Sequence, residues 1–166
     1  MRILPVFSWI VVLWIAKVFL LSLPYKFTLH PDTQHIFGMI GAWMQGILGD
    51  SIGTWFANYG SYAVGFVELV TSVILLLPVV FWLLKKVKLL QCAPSRSLLH
   101  ALGGLMASGV MGGAAFFHLF TPLGIEVIHE GQSDGGSLFY AAVSILILGF
   151  VLFVANYRDY KSKITQ

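Results

Sequence analysis

The sequence predicts an all-α integral membrane protein, a four-helix bundle with an additional interfacial or re-entrant helix in the first outer loop. Three observations predict it. Hydrophobic residues make up 58% of the 166-residue chain and charged ones only 10%, a balance too apolar for a soluble domain of this length. Four segments, Ile3–Leu23, Ser61–Leu84, Leu98–Phe120 and Ser137–Asn156, reach the roughly 20 residues needed to cross a bilayer. No sheet-like alternation marks barrel strands, so helices are the remaining way for the backbone to satisfy its own hydrogen bonds in lipid. The whole chain, 1–166, reads as one transmembrane domain.

The first segment follows Arg2 and so resembles a signal peptide at first sight. It is longer than an h-region, is interrupted by Lys17, and lacks a small-x-small cleavage site before Pro24; the expectation is an uncleaved helix. The loop after it, Pro24 to Gly60, contains an uncharged stretch, Thr33–Leu48, with Ile36, Phe37, Ile40, Trp43, Met44 and Ile47 at helical spacing and Gly38, Gly41, Ala42 and Gly46 on the other side. That pattern predicts the interfacial or re-entrant helix, with Asp32 or Thr33 after Pro31 as its N-cap. About sixteen residues is short for a fifth span, which would also move the N-terminus outside and Lys26 inside.

The second segment carries Glu68 inside the apolar run Tyr62–Leu84. A carboxylate at membrane depth costs roughly 2.5–3.5 kcal/mol on insertion scales, so it faces a bundle interior, pairs with a cation or serves a pathway. The third repeats small residues every four positions, Gly104/Ser108/Gly112 and Gly109/Gly113, and is expected at the centre of the bundle because small residues let backbones approach in lipid. The fourth, Ser137–Asn156, is a plain apolar span.

Basic residues set the orientation. Arg2, the Lys85/Lys86/Lys88/Arg96 loop and the Arg158/Lys161/Lys163 tail share one side of a four-helix alternation, and only Lys26 among the bases lies on the other, with Asp32, Asp50, Glu126, Glu130 and Asp134. The positive-inside rule makes both termini cytoplasmic and the chain a multi-pass protein of the cell inner membrane. The net charge of +3 is thus a topology signal; the partner it implies is the lipid bilayer, not nucleic acid.

Polar residues at depth are the candidate site. Lys17 and Glu68 lie ~9 and ~10 Å from the outer ends of their helices, a matching depth that predicts a register-fixing ion pair or a functional one. Alternatively Lys17 snorkels outward and leaves Glu68 to His118. His118 is either satisfied by a carbonyl or water, or pairs with Glu68 as a proton-exchanging or ligand-binding group. His100 reads as an anchor at the cytoplasmic end. It is ~27 Å from His118 along one helix, which argues against a bis-histidine haem in one monomer. Cys92 is the only cysteine, so intramolecular disulfide exchange is excluded. No metal-ligand spacing is present; Glu126, His129 and Glu130 read as an exposed charged loop. Phosphate-cradling glycine motifs are absent.

Tyr25-Lys26-Phe27-Thr28 after the first helix, Ile36-Phe37, Val67-Glu68-Leu69 followed by Leu75-Leu76-Leu77-Pro78, Ala115 to His118-Leu119 with Leu123-Gly124-Ile125, and Asp134-Gly135-Gly136 before Leu138-Phe139 together resemble the DoxX-like family of small four-helix integral membrane proteins. The resemblance covers most of the chain; the longer first outer loop, Ala42 to Tyr59, and the residues around Glu130–Ser133 depart from it. It implies similarity to the membrane subunit of a thiosulfate:quinone oxidoreductase, and it brings Lys26, Glu68, His118 and Asp134 together as candidates. With Lys17, these are the expected ligand-binding or proton-exchange residues of the outer half. No cofactor motif is evident; a quinone is the one the resemblance supplies. Two functions are therefore expected as alternatives: a quinone-associated subunit that receives electrons from a redox partner protein, or a non-catalytic membrane helper that stabilises or localises a partner.

Overall fold

A computed structural model describes residues 3–165; Arg2, one of the bases that set the orientation, lies outside them. The elements are α1 (Ile3–Phe27), α2 (Pro31–Leu48), α3 (Asp50–Lys86), α4 (Arg96–Phe120), β1 (Ile128–His129), β2 (Gln132–Ser133) and α5 (Ser137–Ile164). Among the described residues four helices, α1, α3, α4 and α5, are long and apolar enough to cross a membrane. The start of α1, the α3–α4 loop and the end of α5 share one end of the bundle, the terminal end. The other, the cap end, carries α2, the first turns of α3 and the 121–136 connection.

The spanning helices are more polar inside than outside. The buried stripe of α3 is Gly53, Gly60, Ser61, Gly65, Glu68, Thr71, Ser72 and Leu75, whereas Phe66, Val67, Val73, Val79 and Trp82 face outward. In α1 the buried stripe runs Ser8, Val11/Val12, Ile15/Ala16, Phe19, and Ile10, Leu13, Leu20 and Leu21 are exposed. A helix apolar all round whose outer face carries the larger apolar side chains suits lipid, not water.

The expected first outer loop, Pro24 to Gly60, is largely helical. α3 begins at Asp50, well before the expected Ser61, and Gly49 at φ +92° makes the whole turn between α2 and α3. At ~1.5 Å per residue α3 is about 55 Å long against a hydrocarbon thickness of about 30 Å, so its first turns pair with α2 as a helical hairpin. Small residues make that pairing possible: a Cβ on Gly41 would stand 2.6 Å from the Ala57 Cβ, and one on Gly53 would stand 2.5 Å from the Gly41 carbonyl. Gln45 Nε2 adds a hydrogen bond to Thr54 Oγ1 at 3.0 Å. Residues 50–60 are too polar to read as a span, and they are helical because α2 covers them.

α2 also starts earlier than expected. Its N-cap is His30, whose Nδ1 accepts from the Asp32 amide at 3.4 Å, and Pro31 occupies the first turn. Proline suits that position because its fixed φ is helical and its missing N–H would have had no partner; Asp32 and Thr33 are therefore inside the helix, not its caps. The far side of α2 packs under the 121–136 connection, with Ile40 buried among Leu123, Val127, Phe56 and Phe117.

That connection is a small antiparallel hairpin, with Ile128 opposite Ser133 and His129 opposite Gln132. Glu130 (φ +50°) and Gly131 (φ +78°) form its two-residue turn, the tight geometry that needs positive φ. His129 and Glu130 lie on this hairpin and Glu126 precedes it, so the three are part of a connection and not of a helix.

α4 is the most buried of the four long apolar helices but not a central one, since it packs chiefly on α5 and α3 and barely meets α1; only one of its two small-residue stripes packs. Gly104 meets Gly149 of α5 backbone to backbone, where an added Cβ would fall 2.7 Å from the Gly149 carbonyl. Ser108 Oγ donates to the Leu146 carbonyl at 2.7 Å. A Cβ added at Gly109 or Gly113 would meet nothing within 4 Å. α5 continues past Asn156 to Ile164, because Asn156 is held inside the bundle and Lys161 and Lys163 stand favourably in the last turn.

Candidate functional site

Glu68 is buried to 1% side-chain exposure, and its partner is Lys26. Lys26 lies on the same stripe of α1 as Phe19 and Ser22, spaced three and four residues apart, so its side chain points into the bundle from the last turn of the helix. Its Nζ stands 2.8 Å from Oε1 and 2.6 Å from Oε2 of Glu68, and 2.9 Å from Ser22 Oγ. Ser22 Oγ lies 2.7 Å from Glu68 Oε2 and 2.8 Å from the Phe19 carbonyl. The three ammonium hydrogens thus all have acceptors, and both carboxylate oxygens are occupied. Gly65 leaves room for the lysine stem: a Cβ there would meet Lys26 Cβ and Cδ at 3.4 Å.

The matched-depth pair of Lys17 with Glu68 is not formed. Lys17 is exposed and its Nζ lies 5.9 Å from the centroid of the Trp14 ring. Neither depth nor azimuth matches: Ser22, the α1 residue that meets Glu68, lies five residues (~7.5 Å) further along the helix, and two residues before Phe19, Lys17 falls on the opposite, outward face of α1. The Glu68–His118 alternative is not formed either. His118 is 7% exposed, and its Nδ1 is 2.7 Å from the Gly124 carbonyl, with the ring edge-on to Phe139 at 5.8 Å. It pins the chain that leaves α4.

Asp134 organises the same connection. Oδ1 accepts from the amides of Val127 (2.8 Å) and Gly136 (3.0 Å), and Oδ2 from the amide of Leu138 (3.0 Å) and Ser137 Oγ (3.3 Å). Burial pushes its carboxyl up, but those hydrogen bonds together outweigh it and hold the group below its usual range. The five expected residues therefore divide: Glu68 and Lys26 meet, His118 and Asp134 each serve the 121–136 connection, and Lys17 stands apart.

Three features escape the sequence reading. Ser22 completes the Glu68 network; its spacing of four from Lys26 on a helix is the signal the sequence offers for it. At the cap end three histidines surround Asp32: His129, whose Nδ1 is 2.7 Å from its carboxylate, His30, whose Nδ1 accepts from its amide, and His35, which stacks on His129 at 4.5 Å. The hydrogen bond from His129 holds the Asp32 carboxyl below its usual range. At the terminal end a second buried network joins α1, α4 and α5. Asn156 Nδ2 donates to Ser8 Oγ at 3.0 Å and to the Leu152 carbonyl at 2.9 Å. Arg96 Nη1 reaches Asn156 Oδ1 and His100 Nδ1, both at 3.3 Å. His100 is fully buried, edge-on to Trp9 at 4.8 Å, so it is an interior residue and not an interfacial anchor; Trp9 of α1 and Asn156 of α5 enclose this first part of α4.

Comparison with protein-family models, curated proteins and solved structures gives no match. The two buried networks and the surfaces around them therefore carry the functional reading.

Proposed function

We propose that this chain is a non-catalytic, DoxX-like multi-pass component of the cell inner membrane, with cytoplasmic termini, that stabilises or localises a partner protein. One observation carries the reading: Glu68, the most buried carboxylate among the described residues, is closed on Lys26 and Ser22, each of its oxygens already held by a partner. A group that exchanges protons with a quinone headgroup needs an open face, and here both oxygens are already occupied at 1% exposure. A buried pair of this kind ties α1 to α3 and fixes their register. The cap end offers a surface for a partner, since Ile47, Ile52, Trp55 and Tyr59 of the α2–α3 hairpin are about half exposed or more.

The quinone-associated reading requires the Lys26–Glu68 pair to open, and quinone binding tests it. Folded protein in mild detergent, alone and with any co-purifying partner, is titrated with a short-chain ubiquinone. The expected result is no saturable binding, together with a lower melting temperature for Glu68→Gln. Saturable binding by the wild type that is lost in a well-folded Glu68→Gln protein would establish the quinone reading instead.

A further inference from the structure

At the terminal end a cleft of about 530 Å³ opens between α1, α3 and α4, lined by Trp9, Pro78, Val79, Trp82 and Arg96. Its size falls in the roughly 300–1,000 Å³ range of small-ligand sites. Four of the five lining residues are apolar or aromatic, and the fifth, Arg96, is a cation. Arg96 makes all of its hydrogen bonds from Nη1, to His100 and Asn156; Nε and Nη2 make none among the described residues, and no carboxylate there lies within ion-pair distance of the guanidinium. The nearest acid acting on it, Asp159, is engaged by Lys163 at 2.6 Å and by Ser97. Lys86 lies outside the lining but carries a second cation beside it, its Nζ 5.4 Å from the centroid of the Trp82 ring.

From this arrangement we infer that the cleft binds an acidic phospholipid of the adjoining leaflet, its phosphate on Arg96 and Lys86 and an acyl chain along Pro78, Val79 and the two tryptophans. Three features select that occupant. A guanidinium held on one side by Asn156 and His100 presents its remaining donors as a preoriented fork, the geometry that matches phosphate oxygens. Tryptophans flanking a basic group mark the depth at which lipid headgroups sit. The cleft is flanked by Trp82 and Val79, 60% and 41% exposed on the outward face of α3, so a lipid enters sideways from the bilayer without crossing water.

Native mass spectrometry of the full chain in mild detergent, titrated with phosphatidylglycerol or phosphatidylcholine, tests the inference. Wild type is expected to prefer phosphatidylglycerol by about tenfold, the equivalent of one charge-assisted contact. Arg96→Gln and Val79→Trp should each abolish the preference, the first by removing the fork and the second by filling the cleft. Lys161→Gln, which removes a base of the same end outside the cleft, should keep it. Because Arg96 also braces Asn156 and His100, Val79→Trp decides the matter if Arg96→Gln fails to fold. Equal binding of the two lipids overturns the inference, as does a preference that survives Val79→Trp or falls equally in Lys161→Gln. Competition by inorganic phosphate as effective as by the lipid would also overturn it, assigning the cleft to a free anion.

Discussion

Lys26 and Glu68 illustrate why a buried ion pair in this chain is better described as a lock than as a source of stability. Taking both charges from water costs several kcal/mol per ion, and their mutual attraction repays that only with further hydrogen bonds to the pair, which Ser22 supplies to both partners here. Removing one partner strands the other. Glu68→Leu or Lys26→Met should therefore destabilise the protein by roughly 3 kcal/mol, the low end of the range for broken buried pairs because Lys26 keeps some access to solvent. Lys26→Met/Glu68→Leu should recover most of the loss. Unfolding in mixed micelles, read as a double-mutant cycle, checks this, and additive losses would refute the direct pair. Asp134 gives a pH-dependent counterpart. Its folded pKa is depressed below the ordinary aspartate value of 3.8, so its contribution is present above that value and is lost as pH falls through the folded pKa. Hydrogen exchange at the Val127, Gly136 and Leu138 amides should accelerate across that acid window, and Asp134→Asn should abolish the pH dependence. An unchanged profile in the variant would place the titration elsewhere.

Between elements, contact is decided by which face of a helix meets a neighbour. Gly104 and Gly109 sit in the same helix, yet a Cβ on the first would stand 2.7 Å from the Gly149 carbonyl and a Cβ on the second would meet nothing within 4 Å. Gly104→Ala should consequently force α4 and α5 apart and destabilise by about 1–3 kcal/mol. Gly109→Ala should be neutral or stabilising by up to about 1 kcal/mol through helix propensity. Equal effects on the melting temperature would mean that the α4–α5 seam is wrongly placed. The same distinction separates what is legible in the sequence from what is not. Spans are legible because length and hydropathy add up locally along the chain. The special standing of Glu68 is legible too, because a lone carboxylate in an apolar run demands a partner. Which cation supplies it is not, since a depth counted from helix ends at Leu23 and Ser61 misses that the helices run to Phe27 and from Asp50, and depth says nothing of azimuth. The early start of α3 is hidden for a related reason: residues 50–60 have no apolar run, and only α2 lying against Gly53 and Ala57 makes a helix of them. The network of Ser8, Arg96, His100 and Asn156 draws on residues 148 positions apart at its extremes, beyond any local pattern.

The whole molecule is organised as a lipid-facing apolar shell around polar contacts at its two ends, the Glu68 lock toward the cap and the Asn156–Arg96 network at the termini. Its charge distribution follows the same axis: Lys85, Lys86 and Lys88 cluster where α3 ends at the terminal end, and Asp32, Glu126 and Glu130 lie at the cap. Under the proposed orientation the terminal end is cytoplasmic, because translocating clustered lysines is disfavoured while acidic residues weigh little. The protein carries its own reporter for this. Cys92 is the only cysteine in the chain and is exposed in the α3–α4 loop. A membrane-impermeant maleimide applied to intact spheroplasts should leave Cys92 unlabelled and should label it after permeabilisation. In a Cys92→Ser background, Gly131→Cys places the thiol at the tip of the β1–β2 hairpin, where nothing lies within 4 Å of the new Cβ. Gly131 has φ +78°, so a cysteine there strains the turn locally; Gln132→Cys, on the exposed neighbouring strand, provides the same reading without that strain. Both should label in intact spheroplasts. Labelling of Cys92 from outside, with the hairpin cysteines protected until permeabilisation, would invert the molecule. The lysine-rich loop and the phospholipid cleft beside it would then face the opposite leaflet, and the hairpin offered to a partner would face the cytoplasm.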